Sequence, residues 1–144
     1  MRDDDSPVRE PVARDVGHTA EVELLARGRT FGDLLAAAGR GLGELSLGGS
    51  IPTASGEWRL VQVQAGDRAA LVVNWLNELI YLAEVDRWIA TEFTVERATD
   101  TDFAVRARGV TVDVPPSRVK AATFHGLEIA ERDGLLQAHV ILDV

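Results

Sequence analysis

No cysteine occurs among the 144 residues, which excludes disulfides, thiolate zinc sites and a cysteine nucleophile and fits a reducing compartment. No apolar run approaches the ~20 residues needed to span a bilayer. The amino-terminal stretch MRDDDSPVREPVARD is acidic and contains proline, the reverse of a basic and then apolar leader. A cytoplasmic protein without membrane attachment is therefore expected. GxGxxG, P-loop, GxSxG and HExxH signatures are also missing, so a self-contained kinase or hydrolase has no positive support. Gly39, Gly41 and Gly43 lie inside an apolar helical pattern and do not form a nucleotide cradle. Basic charge is short as well: 15 Lys and Arg against 23 Asp and Glu give a net charge of -8. That field repels phosphate backbones and disfavours stable nucleic-acid binding by this chain alone, whereas a protein or metal partner is easily accommodated. Solubility alone also accounts for such a charge.

The length fits one domain with a continuous core. Residues 1–15 mix acidic and basic side chains with two prolines and carry too little apolar surface to offset the entropy of ordering, so a disordered acidic tail is expected there. Residues 16–144 read as the folded domain. Ala20, Val22, Leu24 and Ala26 alternate with polar residues, the period of a strand with one covered face. Thr30 with Asp33 resembles a capping pair, and Phe31, Leu34, Leu35, Ala38, Leu42 and Leu45 recur at helical spacing. Each glycine in the second half of this helix costs about 1 kcal/mol relative to alanine, so that half is either weak or closely packed against another element.

Val61, Val63 and Ala65 predict a second strand, and Asp67 a cap for a long helix with Leu71, Val72, Trp75, Leu76, Leu79, Ile80 and Ala83 on its apolar side. Asn74, Asn77, Glu78 and Tyr81 fall on or near the polar side. Four strands follow, over 88–97, 102–112, 119–130 and 134–144, separated by Thr99-Asp100, Pro115-Pro116 and a tight turn at Asp133-Gly134. The order β-α-β-α-β-β-β-β predicts an α+β fold, a mixed or mostly antiparallel sheet with its two main helices on one face.

Of the chemistry-bearing residues, His18, His125 and His139 show no local ligand-pair spacing and read first as structural histidines. Asp143 beside Val144 offers two anionic oxygen groups within one residue, the ligand type hard cations prefer. If the last strand lies beside the first, Glu21 completes a small carboxylate cluster; otherwise Glu21 and Asp143 are solvent-facing strand residues.

Four separated blocks carry a resemblance: Gly17-His18-Thr19-Ala20-Glu21, then Leu71 to Leu82 (LVVNWLNELIYL), Val119 to Leu127 (VKAATFHGL), and Val140 to Val144 (VILDV). In this order they resemble the archease family, over nearly all of residues 16–144. The resemblance implies an accessory factor, not itself an enzyme, for the RNA-splicing ligase that joins 3′-phosphate or 2′,3′-cyclic phosphate ends to 5′-hydroxyl ends in tRNA splicing and RNA repair. Such a factor promotes guanylylation of the ligase and its multiple turnover. The resemblance also implies a metal site at Glu21, Asp143 and Val144, an activating Lys120, and His18 and His125 as outer neighbours of the site. Calcium is the expected divalent cation, with magnesium or manganese as other candidates. The family has Asp where this chain has Glu21, whose extra methylene moves the carboxylate outward by roughly one bond length. Calcium tolerates that change better than magnesium because its coordination shell is larger and more flexible.

Two other functions remain open on sequence. In a stand-alone metal-dependent phosphoesterase, Glu21 and Asp143 would bind the ion while Lys120 or His125 stabilises developing charge. In a non-catalytic, chaperone-like module, Asn74, Asn77, Glu78 and Tyr81 would form the recognition face.

Overall fold

The computed structural model describes residues 20–114 and 119–144, together with the backbone of Val8–Ala13. Alternating apolar and polar residues form β2 (Ala20–Gly28), whose Val22, Leu24 and Ala26 are buried while the residues between them are half-buried. The Thr30 hydroxyl accepts from the Asp33 N–H at 3.1 Å and starts α1 (Phe31–Ser46). β3 (Ser55–Gln64) leads to α2 (Arg68–Val85), where the Asp67 carboxylate accepts from the Ala70 N–H at 2.8 Å. β4 (Trp88–Ala98), β5 (Asp102–Thr111), β6 (Ala121–Arg132) and β7 (Leu135–Asp143) complete the chain. The order expected from sequence holds from β2 onward. Positive φ at both Asp133 (56°) and Gly134 (80°) gives the tight β6–β7 turn the left-handed pair that a two-residue hairpin requires.

β1 (Val8–Ala13) precedes this series, inside the stretch 1–15 that the sequence reads as a tail; the other residues of that stretch lie outside the described residues. It pairs antiparallel with β2, from Val8 opposite Leu25 to Ala13 opposite Ala20. The edge of β2 supplies backbone partners, so ordering here does not depend on apolar content, and Pro11 is tolerated because β1 is itself an edge strand. The expected single sheet is two: β1-β2-β7-β6 and β3-β5-β4, every described pairing antiparallel. Strand order along the chain does not say which hydrogen bonds close. Both helices bridge the sheets, α1 touching β2, β4 and β7, and α2 touching β3, β4 and β6.

One apolar cluster fills the space between. At its centre the fully buried Trp75 meets Phe93 and Phe103 edge-on, with centroids 5.7 and 4.9 Å away, and donates its indole N–H to the Leu35 carbonyl at 2.8 Å. The α1 glycines are sites of close packing. A Cβ at Gly39 would stand 2.9 Å from the Phe93 ring, and one at Gly43 would stand 2.7 Å from the Ala90 carbonyl oxygen. Among the described residues no helix is long and apolar enough to cross a membrane.

Candidate metal centre at the β2–β7 junction

β7 returns beside β2, and their antiparallel register places Glu21 directly opposite Asp143. Directly opposed residues project from the same face with Cβ atoms about 4.5–5.5 Å apart. That face is the outer one, since Val22 and Leu142, one step inward, are both buried in the core. Asp143 has Ala121 of β6 on its other side, a residue too small to cover it. Glu21 and Asp143 are each half-buried. Glu21 makes a further contact of its own.

The backbone ties the neighbouring residues to this row. The Val144 N–H donates to the Ala20 carbonyl at 3.2 Å, and the Lys120 N–H donates to the Asp143 carbonyl at 2.8 Å. Glu21, Asp143, Val144 and Lys120, spread along the sequence, therefore meet at one end of the four-stranded sheet. The Lys120 side chain is exposed. His18 lies outside the described residues.

His125 is not in the row. It belongs to a bulge in β6, where residues 124–127 stand opposite the single residue Val140, between the pairs Thr123–Ile141 and Glu128–His139. Gly126 at the crown of the bulge has φ +69°, and a Cβ there would approach the Ile141 side chain to 3.2 Å. Phe124 and His125 are both exposed. His139 is on the outer face, where its Nε2 lies 3.3 Å from a Glu23 carboxylate oxygen.

Asn77 is the positioning residue that sequence reasoning placed on a recognition face. Its side-chain oxygen accepts from the Ala122 N–H at 2.8 Å and its amide donates to the Ala122 carbonyl at 3.2 Å, clamping the start of β6 to α2. Ala122 is the next residue but one after Lys120, so this clamp fixes the backbone from which Lys120 and Ala121 project. Asn74 likewise donates to the Gln64 carbonyl, at 3.0 Å. Two of the four residues of the supposed recognition face are thus engaged in holding α2 to strands. A half-buried asparagine on the flank of an otherwise apolar helix was the available signal.

Chemically the row offers oxygen ligands alone. Among the described residues no three His, Cys, Asp or Glu side chains converge as a metal-ligating group, so side chains supply two carboxylates and further ligands would be Val144 oxygens and water. That donor set fits a hard divalent cation and suits zinc or copper poorly. Glu21 and Asp143 stand directly opposite, and a cation between two such carboxylates would relieve their repulsion.

Comparisons with known proteins agree with this architecture. Protein archease of Methanothermobacter thermautotrophicus is 30% identical over 132 residues, covering 88% of this chain and 94% of that protein. Protein archease of Methanosarcina mazei is 29% identical over 136 residues, covering 88% and 92%. A solution structure of a Methanobacterium thermoautotrophicum protein superposes with a TM-score of 0.66 at 27% identity, over 86% of this chain and 92% of that one. The Thermotoga maritima crystal structure described as an archease and possible chaperone has a TM-score of 0.60 at 18% identity, covering 95% and 98%, and shows the shared fold. The model of the Archease protein family matches residues 14–144, and with the fold and relatives in agreement this chain belongs to the archease family.

Proposed function

We propose that this protein is a metal-binding accessory factor of an RNA-splicing ligase, promoting the partner's guanylylation and multiple turnover in tRNA splicing and RNA repair. The observation that carries the reading is the register of Glu21 against Asp143, with Lys120 tied by its backbone to the same residue. Glu21, Asp143 and Val144 would hold the ion, calcium ahead of magnesium or manganese because Glu21 lengthens the site. A bound divalent cation supplies positive charge for triphosphate oxygens during nucleotidyl transfer. This chain's own part is to present two carboxylates at a sheet end without burying them, and to hold the Lys120 backbone beside them so that its exposed ammonium reaches a partner's phosphates. The Asn77 clamp keeps that backbone from moving when the partner docks.

The test is a multiple-turnover ligation assay with the cognate ligase, with and without this protein, across calcium and magnesium titrations. Stimulation that depends on a divalent ion and disappears with Asp143→Ala is the expected result. Undiminished stimulation by a folded Asp143→Ala protein rejects the metal mechanism. Hydrolysis of a phosphate ester by the purified protein alone replaces it with the phosphoesterase reading.

A further inference from the structure

In a chain of net charge -8, one cleft is basic. It lies at the far end of β2 from Glu21, about 20 Å along the strand at ~3.3 Å per residue, where β2 turns into α1 and faces β4. Arg27, Arg29 and Arg40 line it with Asp33 as the one acid, and its volume is about 550 Å³. Phe93 and Val95, half-buried residues of β4, form its apolar wall. Arg29 and Arg40 are exposed, and among the described residues neither has a carboxylate partner. Elsewhere Arg59, Arg68, Arg97, Arg106 and Arg108 each pair with an Asp or Glu.

We propose that this cleft binds a nucleotide-sized organic phosphate, with phosphate oxygens on Arg29 and Arg40 and the flat body of the ligand against Phe93 and Val95. Arginine, not lysine, supplies all the positive charge, and its planar fork matches two phosphate oxygens at once. The volume lies within the ~300–1,000 Å³ of small-molecule sites. A polymeric anion is disfavoured because the chain as a whole carries a net charge of -8 and the three arginines are confined to a bounded cleft. The site is remote from the carboxylate row, so its test stands or falls without the proposed ligase function.

The experiment is calorimetric titration of the full chain with ATP, inorganic tripolyphosphate and adenosine, without divalent cations so that the carboxylate row does not contribute. ATP is expected to bind, with tripolyphosphate and adenosine each weaker by about tenfold or more because each lacks half of the contacts. The double variant Arg29→Glu/Arg40→Glu, changed at exposed positions and checked for folding by circular dichroism, should weaken ATP by at least about tenfold. An equal charge change at Arg59, which stacks on Trp88, and at the adjacent Arg87 should leave affinity within about twofold, because that end of β4 is five residues from Phe93, about 16 Å at ~3.3 Å per residue and beyond a Debye length. Absence of ATP binding overturns the proposal, as does equal weakening by both double variants. Tripolyphosphate binding as tightly as ATP overturns it too, since ion attraction alone would then explain the affinity.

Discussion

The outer faces of the two sheets treat charge in opposite ways. On β4 and β5 the acids answer bases: Arg108 meets Glu92 at 2.9 Å, Arg106 meets Glu96, and Arg97 meets Asp102 at 3.1 Å. That face is electrically closed and has nothing to offer an external ion. On β2 and β7 the residue opposite Glu21 is another acid, and His139 is directed to Glu23. The second arrangement costs stability in isolation, about 0.2–1 kcal/mol for opposed like charges. Under the proposed function, that opposition of acids is where a cation would sit. Charge count alone does not distinguish the two faces; cross-strand register does.

The sharpest way to break this contrast is to remove one acid from each face. Asp143→Ala should abolish stimulation of ligase guanylylation, measured as covalent nucleotide on the partner, whereas Glu92→Ala should leave it intact. Equal loss from both variants would mean that general acidity, not the row, matters. Next in size, calcium at a hundredfold its dissociation constant should stabilise the wild-type protein by about 2.7 kcal/mol, and not Asp143→Asn. Thermal melting with and without chelator reads this directly. Asn77→Ala leaves two backbone groups of Ala122 without their clamp and should cost about 1–3 kcal/mol in denaturant unfolding, with weaker stimulation at temperatures where the variant is folded. Without divalent ions, Asp143→Asn should raise stability by about 0.2–1 kcal/mol by relieving repulsion. Smallest of all, Arg106→Ala with Glu96→Ala should cost no more than about 1 kcal/mol, because both side chains are substantially exposed.

Much of the architecture was legible because periodicity and caps act locally. Thr30, Asp67 and the Asp133-Gly134 turn each stand where the sequence pattern put them, and the apolar stripe of α2 is the buried one. The glycines of α1 left two readings open. Only the tertiary structure, by bringing Phe93 and the Ala90 carbonyl against Gly39 and Gly43, selects close packing. Other features were illegible for the same reason: they depend on partners distant in sequence. The split into two sheets, the pairing of β1 on the edge of β2 and the Asn77 clamp are of this kind. The β6 bulge had a signal in Gly126, a glycine inside a strand pattern, but nothing in the sequence gives its size. The opposition of Glu21 and Asp143 was an expectation conditional on the first predicted strand meeting the last, and the β2–β7 register supplies that condition. Three arginines around one cleft were invisible, since Arg27 and Arg29 come from the end of a strand and Arg40 from a helix.

The register that opposes Glu21 to Asp143 also sets a clock. Glu21 stands on β2 and Asp143 on β7, so the second acid of the pair is in place only when β7 is synthesised. A chain still on the ribosome, lacking its last strand, has neither the paired acids nor the backbone anchor for Lys120. Both features arrive together in a single step, when β7 zips onto β2.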